Sequence, residues 1–316
     1  VGGVVRDTIA GIPCKDVDLC TDATPEEQID IYRTHGHRWI ETGLQHGTVT
    51  VVLDDVPYEI TSLRIDAETD GRHARVEHTR DWVQDLARRD LTINAMAMTF
   101  DGVVIDPFGG RADLANGVVR FVGKPVDRIR EDYLRILRWF RFQGRFGDVD
   151  NIDDATLIAI NENAHGLQRI SRERVWSEIK RIVQHPTGPE LIWEMNQMGL
   201  SRHIDLPDYW SHDSCARAQE WTDAPEVLMA AGFDWQNFLV EELAKEWRWS
   251  NAERDHALWL SHNAHQRRDL RRLIAVEGAS RDWVAELAAL EGRDEWSRNA
   301  LVHWEFPPRS EERRVG

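Results

Sequence analysis

The residues best suited to chemistry lie near the start of the chain, where two glycines and an arginine precede a pair of carboxylates. Gly2 and Gly3 let a backbone turn approach a ligand closely, and the helix expected after them would direct free N–H groups at an anion. Arg6 can bind a phosphate through two parallel hydrogen bonds. Asp16 and Asp18 are separated by one residue, so on a strand both carboxylates point to the same side. Two such carboxylates beside a phosphate cradle suit Mg²⁺ bridging a triphosphate.

The composition argues against several other classes of protein. Of the 316 residues, 41% are hydrophobic and 30% are charged, and no apolar run approaches the roughly 20 residues of a membrane span. The three cysteines form no CxxC pair, which argues against a disulfide framework or a cysteine zinc site and indicates a reducing compartment. We therefore expect a cytoplasmic protein, or one of the mitochondrial matrix if the source is eukaryotic.

The charge of the chain is acidic overall but uneven. A formal net charge of −16 argues against general affinity for nucleic acid. Residues 120–145, however, contain eight Lys or Arg against three Asp or Glu. Such a basic strip can hold phosphates while the rest of the protein repels other polyanions. Taken alone, the strip is better explained as a solvated helix face.

Two kinds of periodicity indicate the elements that position these residues. The first 115 residues or so read as mixed α and β, with an antiparallel strand pair at residues 48–53 and 58–63 and a helix that Thr24 caps. From about residue 126 the apolar spacing is helical, and it predicts helices over residues 132–146, 171–184, 188–198, 225–231, 234–247 and 267–276. Most of the 14 tryptophans lie in this half, and we expect them to pack between helices.

Five motifs in the first 145 residues resemble one known family. They are the glycine pair with Arg6-Asp7 and Asp16-x-Asp18, followed by residues 58–64, 88–95, 106–114 and 131–138. This order resembles class II tRNA nucleotidyltransferases, the CCA-adding enzymes among them, and bacterial poly(A) polymerases, which belong to the DNA polymerase β-like superfamily. The resemblance implies an α+β fold. A nucleotidyltransferase head with a mixed β-sheet and helices would span residues 1–114. An all-α region would follow, with a neck that recognises the base at 115–190 and a body and tail that bind tRNA at 191–316.

The resemblance also implies roles for residues of the head. Glu59 is the candidate third carboxylate beside Asp16 and Asp18, where it would hold metal or help to deprotonate the RNA 3′-hydroxyl. The motif at residues 88–95 resembles the one that checks the ribose 2′-hydroxyl, which needs both a donor and an acceptor; its candidate residues are Arg89, Asp90 and Asn94.

In the neck, the resemblance assigns recognition of the base to Asp132 and Arg135, which lie one helical turn apart and can project together. The carboxylate would accept a hydrogen bond from the exocyclic amine that cytosine and adenine share, and the guanidinium would donate to ring acceptors. The pair would thus bind C and A and reject U and G without a nucleic-acid template. Arg138 and Arg141 continue the same ridge as expected nucleotide contacts, although a solvated helix face explains them equally well.

The activity implied is the addition of CCA to tRNA 3′ ends from CTP and ATP, with Mg²⁺ on Asp16 and Asp18 and release of pyrophosphate. Residues 65–80 correspond to a flexible loop that CC-adding enzymes lack, which favours CCA addition or A addition. An A-adding enzyme and a poly(A) polymerase stay open, although the chain has no strongly basic tail. The alternative from another class is an inactive RNA-binding relative, and the presence of every expected carboxylate argues against it.

Three features depart from the family pattern. The chain begins at the glycine pair, whereas the family has a helix and a strand before it, so we expect the head to be N-terminally truncated. Residues 149–316 carry a net charge of −10, which is not expected of a surface that grips tRNA. His212-Asp213 resembles the pair found in HD hydrolases but lacks suitably spaced partners, so we expect no metal-hydrolase role.

Overall fold

The computed structural model describes residues 1–14, 17–69, 74–264, 266, 268–275 and 277–293. They form two compact units that divide between Ile170 and Ser171. Every strand of the described residues lies in the first unit, and the second is built from helices. The predicted α+β class, with a sheet-containing head before an all-α region, is therefore confirmed. The finer boundaries expected at residues 114 and 190 stay a prediction.

A four-stranded sheet forms the centre of the head. Its spatial order is β1-β4-β3-β2, with β1 parallel to β4 and the other pairs antiparallel. Val49 and Val51 of β3 are buried against Tyr32 of helix α2, because alternate residues of a strand face the same side. These elements span β1 (Leu19–Thr21), α2 (Pro25–Thr34), β2 (Arg38–Gly43), β3 (Thr48–Leu53) and β4 (Val56–Ser62).

Two local signals in this sheet are confirmed. Asp54 and Asp55 both adopt positive φ between β3 and β4, the backbone that a tight two-residue hairpin turn requires. At the start of α2, the Thr24 hydroxyl accepts from the Glu27 N–H at 3.3 Å, and the Thr24 N–H donates to the Glu27 carboxylate at 2.8 Å. This reciprocal capping box fixes where α2 begins.

The segment at residues 65–80, expected to be a flexible loop, contains a β-hairpin instead. Its antiparallel arms are β5 (Arg64–Thr69) and β6 (Ala74–His78), and residues 70–73 lie outside the described residues. The prediction of a loop is therefore wrong for the two arms. Backbone pairing across the hairpin is a non-local contact that turn residues alone did not reveal.

The rest of the first unit consists mainly of helices. Asp106 caps helix α4, because its carboxylate accepts from the Gly110 N–H at 2.7 Å and the Arg111 N–H at 3.0 Å. A Cβ on Gly110 would lie 2.2 Å from the Thr92 carbonyl oxygen, so only glycine allows this approach. The elements are α1 (Gly3–Ile9), α3 (Trp82–Ala87), β7 (Ala97–Met98), β8 (Val104–Ile105), α4 (Gly110–Ala115), α5 (Pro125–Glu131), α6 (Leu134–Phe146) and α7 (Asp154–Asn163).

The helix predicted over residues 132–146 begins later than expected. Asp132 has an extended backbone (φ −153°, ψ 107°), so α5 ends before it and α6 starts at Leu134. Ile136, Leu137 and Phe140 of α6 are fully buried, which confirms the predicted helical face. The break between the two helices places the Asp132 side chain at a bend rather than on a continuous helix.

Among its described residues, the second unit contains the predicted helices near residues 171–184, 188–198, 225–231, 234–247 and 267–276, and three more that the periodicity did not reveal. Trp176 stacks on Trp249 with ring centroids 4.6 Å apart, and the Trp247 indole donates to the Ile204 carbonyl at 2.6 Å, so these tryptophans pack the core as expected. In the described part of the chain, no helix is long and apolar enough to cross a membrane. The helices are α8 (Arg172–Val183), α9 (Gly188–Gln197), α10 (His212–Ala218), α11 (Pro225–Gly232), α12 (Asn237–Glu246), α13 (Asn251–Asn263), α14 (Leu270–Ala275) and α15 (Arg281–Leu290).

A partly buried histidine joins three of these helices. His256 of α13 contacts Glu226 of α11 through Nδ1 at 2.9 Å and Glu286 of α15 through Nε2 at 2.6 Å, and Trp283 stacks on its ring. Burial disfavours the charged ring, but the hydrogen bonds to both carboxylates outweigh that effect and raise the pKa of His256 to about 9. The imidazolium is thus the positive centre of a small ionic cluster whose two carboxylates are buried.

This cluster predicts a pH-dependent stability. A histidine pKa raised on folding from 6.5 to about 9 stabilises the protein fully below 6.5, and that contribution is lost as the pH rises towards 9. We expect the free energy of unfolding, measured by urea denaturation, to fall across this window in the wild type. His256→Gln should lose this dependence, whereas His262→Gln, at an exposed position of the same helix, should keep it. An unchanged slope in His256→Gln would contradict the assignment.

Candidate nucleotide-binding site

Two of the three predicted catalytic carboxylates belong to neighbouring segments at the head sheet, because Asp18 comes directly before β1 and Glu59 lies on the adjacent β4. Leu19 of β1 pairs with Ile60 of β4 in parallel register, so Asp18 lies beside Glu59 one residue earlier on each chain segment. Both side chains are exposed. Asp16 lies outside the described residues, and among those that the structure describes no group of three His, Cys, Asp or Glu could hold a metal ion. The positions of Asp18 and Glu59 are compatible with metal binding, and the metal-binding role stays a prediction.

The glycine turn packs directly against Arg89. Gly2 has φ 68° and ψ −125°, a backbone that residues with a Cβ rarely adopt, and its N–H donates to the Met96 carbonyl at 2.9 Å. A Cβ at Gly2 would lie 2.4 Å from Nη1 of Arg89, so glycine is needed for the guanidinium to lie there. The buried Nε of Arg89 has no hydrogen-bond partner in the described part of the chain. Helix α1 starts at Gly3, directly after this turn, as predicted.

Arg6 is buried and held on several sides. Its Nε and Nη2 donate to Asp7 at 2.9 and 2.7 Å, and its Nη1 donates to the Asn94 side chain. Burial lowers the pKa of Arg6, and the hydrogen bond to Asp7 opposes that shift. Arg6 therefore links α1 to residues 88–95, the segment predicted to contact the ribose and called the ribose motif below. Its predicted contact with a phosphate stays a prediction.

The Asp90 carboxylate connects residues 88–95 of the head to helix α6. Its carboxylate accepts from the Leu91 N–H at 2.9 Å, from the Asn94 amide at 3.2 Å and from Nε of Arg138 at 2.7 Å. Burial by itself would raise the pKa of Asp90, but the ion pair with Arg138 and these hydrogen bonds lower it below its usual value. The residues predicted from two separate motifs are thus in direct contact.

The predicted base-reading pair lies at the bend between α5 and α6. The Asp132 carboxylate accepts from the Leu134 N–H at 3.1 Å, which fixes the start of α6. Arg135 donates to the Glu131 carboxylate at 2.5 Å and to the Arg88 carbonyl at 3.3 Å. Arg135 is thereby held against the backbone of the ribose motif.

Asp85 is a part of the site that sequence reasoning missed. This carboxylate is buried on α3, where it accepts from Arg88 Nε at 3.0 Å and from the Arg64 backbone N–H at 3.2 Å, and lies 3.5 Å from Arg89 Nη2. The available signal was the spacing, since an aspartate three and four residues before two arginines can pair with both on a helix. Asp85 therefore joins the root of the β5–β6 hairpin to the ribose motif.

Comparisons with known proteins agree with this arrangement. A family model described as "Poly A polymerase head domain" matches residues 1–120, and one described as "Probable RNA and SrmB- binding site of polymerase A" matches residues 151–211. Together they match more than half of the chain. The chain belongs to the family of class II CCA-adding tRNA nucleotidyltransferases and poly(A) polymerases.

Individual relatives give the same assignment. The chain is 43% identical over 275 residues to "CCA tRNA nucleotidyltransferase 1, mitochondrial" of Mus musculus, which covers 85% of this chain and 62% of the relative. It is 37% identical over 249 residues to the "CCA-adding enzyme" of a Geobacillus strain, covering 78% of this chain and 56% of the relative. A crystal structure of the Bacillus stearothermophilus CCA-adding enzyme in complex with CTP matches with a TM-score of 0.76 and 26% identity, covering 95% of this chain and 76% of that one. The chain thus spans roughly three fifths of the length of these two curated relatives.

The position of Asp85 predicts a loss of affinity for a nucleoside triphosphate when its charge is removed. Asp85→Asn deprives Arg88 and Arg89 of a shared buried counter-charge, and we expect the Kd for CTP, measured by calorimetry, to rise about tenfold. The matched control is Asp81→Asn at the N-terminus of the same helix, where asparagine caps as well as aspartate. Equal CTP affinity in both variants would show that Asp85 does not orient the arginines.

Proposed function

We propose that this chain adds CCA to the 3′ ends of tRNA, using CTP and ATP and releasing pyrophosphate. The observation that carries the proposal is the contact between the predicted base-reading bend and the predicted ribose motif. Arg135 donates to the Arg88 carbonyl at 3.3 Å, and Arg138 pairs with Asp90 at 2.6 Å. Protein groups suited to a base and to a sugar are thus held together in one unit, where they can select a nucleotide without a template strand.

The selection of C and A follows from the hydrogen-bonding chemistry of this bend. A carboxylate such as Asp132 accepts only, so it pairs with the exocyclic amine of cytosine or adenine and faces a repelling carbonyl oxygen in uracil or guanine. The guanidinium of Arg135 donates only, which suits the ring acceptors of the two favoured bases. The Glu131 carboxylate holds this guanidinium in place, with its Oε2 atom 2.5 Å from Arg135 Nη1.

The chemical step would take place at the carboxylates of the head sheet. Asp16 and Asp18 would hold Mg²⁺, and the exposed carboxylates of Asp18, directly before β1, and of Glu59 on β4 would supply the oxygen ligands that this cation prefers. When bound, the metal would neutralise charge on the triphosphate. Glu59 would help to remove the proton of the RNA 3′-hydroxyl, and the resulting oxygen would attack the α-phosphate as pyrophosphate leaves.

The printed names of related proteins also support the proposal. The mouse and Geobacillus relatives are named for CCA addition, and the Bacillus stearothermophilus enzyme was crystallised with CTP. The helical region after α6 would bind the tRNA acceptor by its shape and backbone. The cytoplasm or the mitochondrial matrix stays the predicted location, and the mouse relative is named as mitochondrial.

A terminal-transferase assay tests the proposal. The protein is incubated with Mg²⁺ and labelled CTP or ATP, together with tRNA transcripts that lack CCA or end in CC, or with unrelated RNA. We expect C to be added to the transcript that lacks CCA and one A to the transcript that ends in CC, with no addition to unrelated RNA. Long A tails on any RNA would favour a poly(A) polymerase, and A addition without C addition an A-adding enzyme. No incorporation into any RNA would contradict the proposal.

Two variants complete the assay. Asp18→Ala removes an oxygen ligand from the proposed metal site, so we expect kcat to fall about 100-fold or more for both nucleotides. Asp22→Ala changes an exposed aspartate just past β1 and should leave kcat near the wild-type value.

A further inference from the structure

The ring of Tyr133, at the bend between α5 and α6, lies directly on a glycine from a later part of the first unit. Gly166 belongs to a short 3-10 helix (Ala164–Arg169) that follows α7. A Cβ at Gly166 would lie 1.9 Å from Cδ1 and 2.0 Å from Cε1 of Tyr133, so only glycine lets the ring lie there. The His165 ring centroid lies 6.3 Å from the Tyr133 centroid, and the guanidinium carbon of Arg169 lies 5.7 Å from it. One short helix therefore holds the tyrosine ring.

A second contact holds the chain on the other side of Asp132. Arg130 of α5, two residues before Asp132, donates through Nε to the side-chain oxygen of Asn163 at 3.1 Å. Asn163 is only 2% exposed and ends α7, directly before the 3-10 helix. Its amide donates to the Ala159 carbonyl at 2.8 Å, which fixes the side chain. The chain on both sides of Asp132 is thus tied to the segment in which α7 ends and the 3-10 helix begins.

The position of Tyr133 affects where the Asp132 carboxylate points. The Leu134 N–H that donates to Asp132 Oδ1 at 3.1 Å belongs to the peptide that joins Tyr133 to Leu134. A shift of the tyrosine would move this peptide, and the hydrogen bond would turn the carboxylate with it. Hydrogen bonds weaken steeply when donor and acceptor are misaligned, and a displacement of about 1 Å is enough to weaken a directed contact. A fixed tyrosine therefore keeps the carboxylate in one orientation.

We propose that Tyr133, seated on Gly166, is a positioning residue for the selection of C and A. Its ring fixes the bend between α5 and α6, and the bend aims the Asp132 carboxylate at the exocyclic amine of the incoming base. This inference rests on the proposed function, because it takes Asp132 to read the base. Tyr133 acts through Asp132, so its effect is on the choice of base and requires no contact between the ring and the nucleotide.

The competing explanation is that the tyrosine only contributes packing, and a second glycine offers a control for it. Gly147 directly follows α6, where a Cβ would lie 2.3 Å from Cδ of Gln143. Its φ of −83° is one that alanine adopts readily. Because α6 has 13 residues, this position is about 20 Å along the helix from the bend. Gly166→Ala and Gly147→Ala thus both press a methyl group against a side chain, but only the first does so at the bend.

The test measures the Kd values for CTP and UTP by calorimetry in Mg²⁺ without RNA, alongside the Tm of each variant. In the wild type we expect the Kd for UTP to exceed that for CTP about tenfold or more. Gly166→Ala, which displaces the ring, and Tyr133→Ala, which removes it, should each reduce this ratio to less than about threefold, chiefly by weakening CTP binding. Tyr133→Phe keeps the ring and should keep the ratio. Gly147→Ala should keep the ratio whatever its effect on Tm.

A double variant tests whether the glycine and the tyrosine act as a unit. Once Tyr133→Ala has removed the ring, a Cβ at Gly166 has no ring to displace. We therefore expect Gly166→Ala to lower the UTP-to-CTP ratio of Kd values no further in the Tyr133→Ala background. A further fall would show that Gly166 acts independently of the ring, and it would overturn the proposed contact.

The outcomes separate this inference from the proposed function. A wild-type ratio in Gly166→Ala or in Tyr133→Ala, an equal fall in Gly147→Ala, or an equal fall in Tyr133→Phe would overturn the role of Tyr133. A wild-type protein that binds CTP and UTP equally would overturn the proposed selection by Asp132 instead. If Gly166→Ala fails to fold, the comparison of Tyr133→Ala with Tyr133→Phe decides the same question.

Discussion

The buried carboxylate of Asp90 joins the head to helix α6 and is the interaction on which the arrangement of the site depends. It accepts from the Asn94 amide on one side and from Arg138 on the other. The Asn94 side chain in turn accepts a hydrogen bond from Arg6. Helix α1, the ribose motif and α6 are therefore joined by one hydrogen-bond network. A buried carboxylate is costly unless it is paired, and here the pairing also fixes the orientation of each partner.

The sequence allowed the local parts of this structure to be predicted because their causes are local. The capping box at Thr24 and the tight turn at Asp54 follow from neighbouring residues, and both were expected. The β5–β6 hairpin and the break at Asp132 were not expected, because each depends on contacts made after the chain has folded.

In the site, too, the residue types could be predicted from the sequence, whereas several of their contacts could not. The residue types and order predicted a phosphate cradle, a ribose motif and a base-reading pair, and the structure brings Arg6, Asn94 and Asp90 into contact. The pattern could not show that Asp85 is buried, because an exposed aspartate at the same spacing from two arginines gives the same sequence. Nor could it show that Phe142 lies among three guanidiniums, since apolar helix positions usually pack in a core. Asp16 lies outside the described residues, so its role stays a prediction.

The acidic charge after residue 149 has a partial physical account in the second unit. Carboxylates there pair internally, for example Glu173 with Arg248 at 2.5 Å and both Glu226 and Glu286 with His256. The pair with Arg248 leaves the net charge unchanged, because the count already includes both partners, whereas a protonated His256 adds one positive charge that the formal count omits.

We propose that fixed protein groups in the first unit select C and A. Equilibrium binding of CTP, ATP, UTP and GTP to the full chain, measured in Mg²⁺ without RNA, tests it most directly. We expect CTP and ATP to bind about tenfold or more tightly than UTP and GTP, because UTP and GTP would place a carbonyl oxygen against Asp132. Equal affinities for all four nucleotides would contradict it.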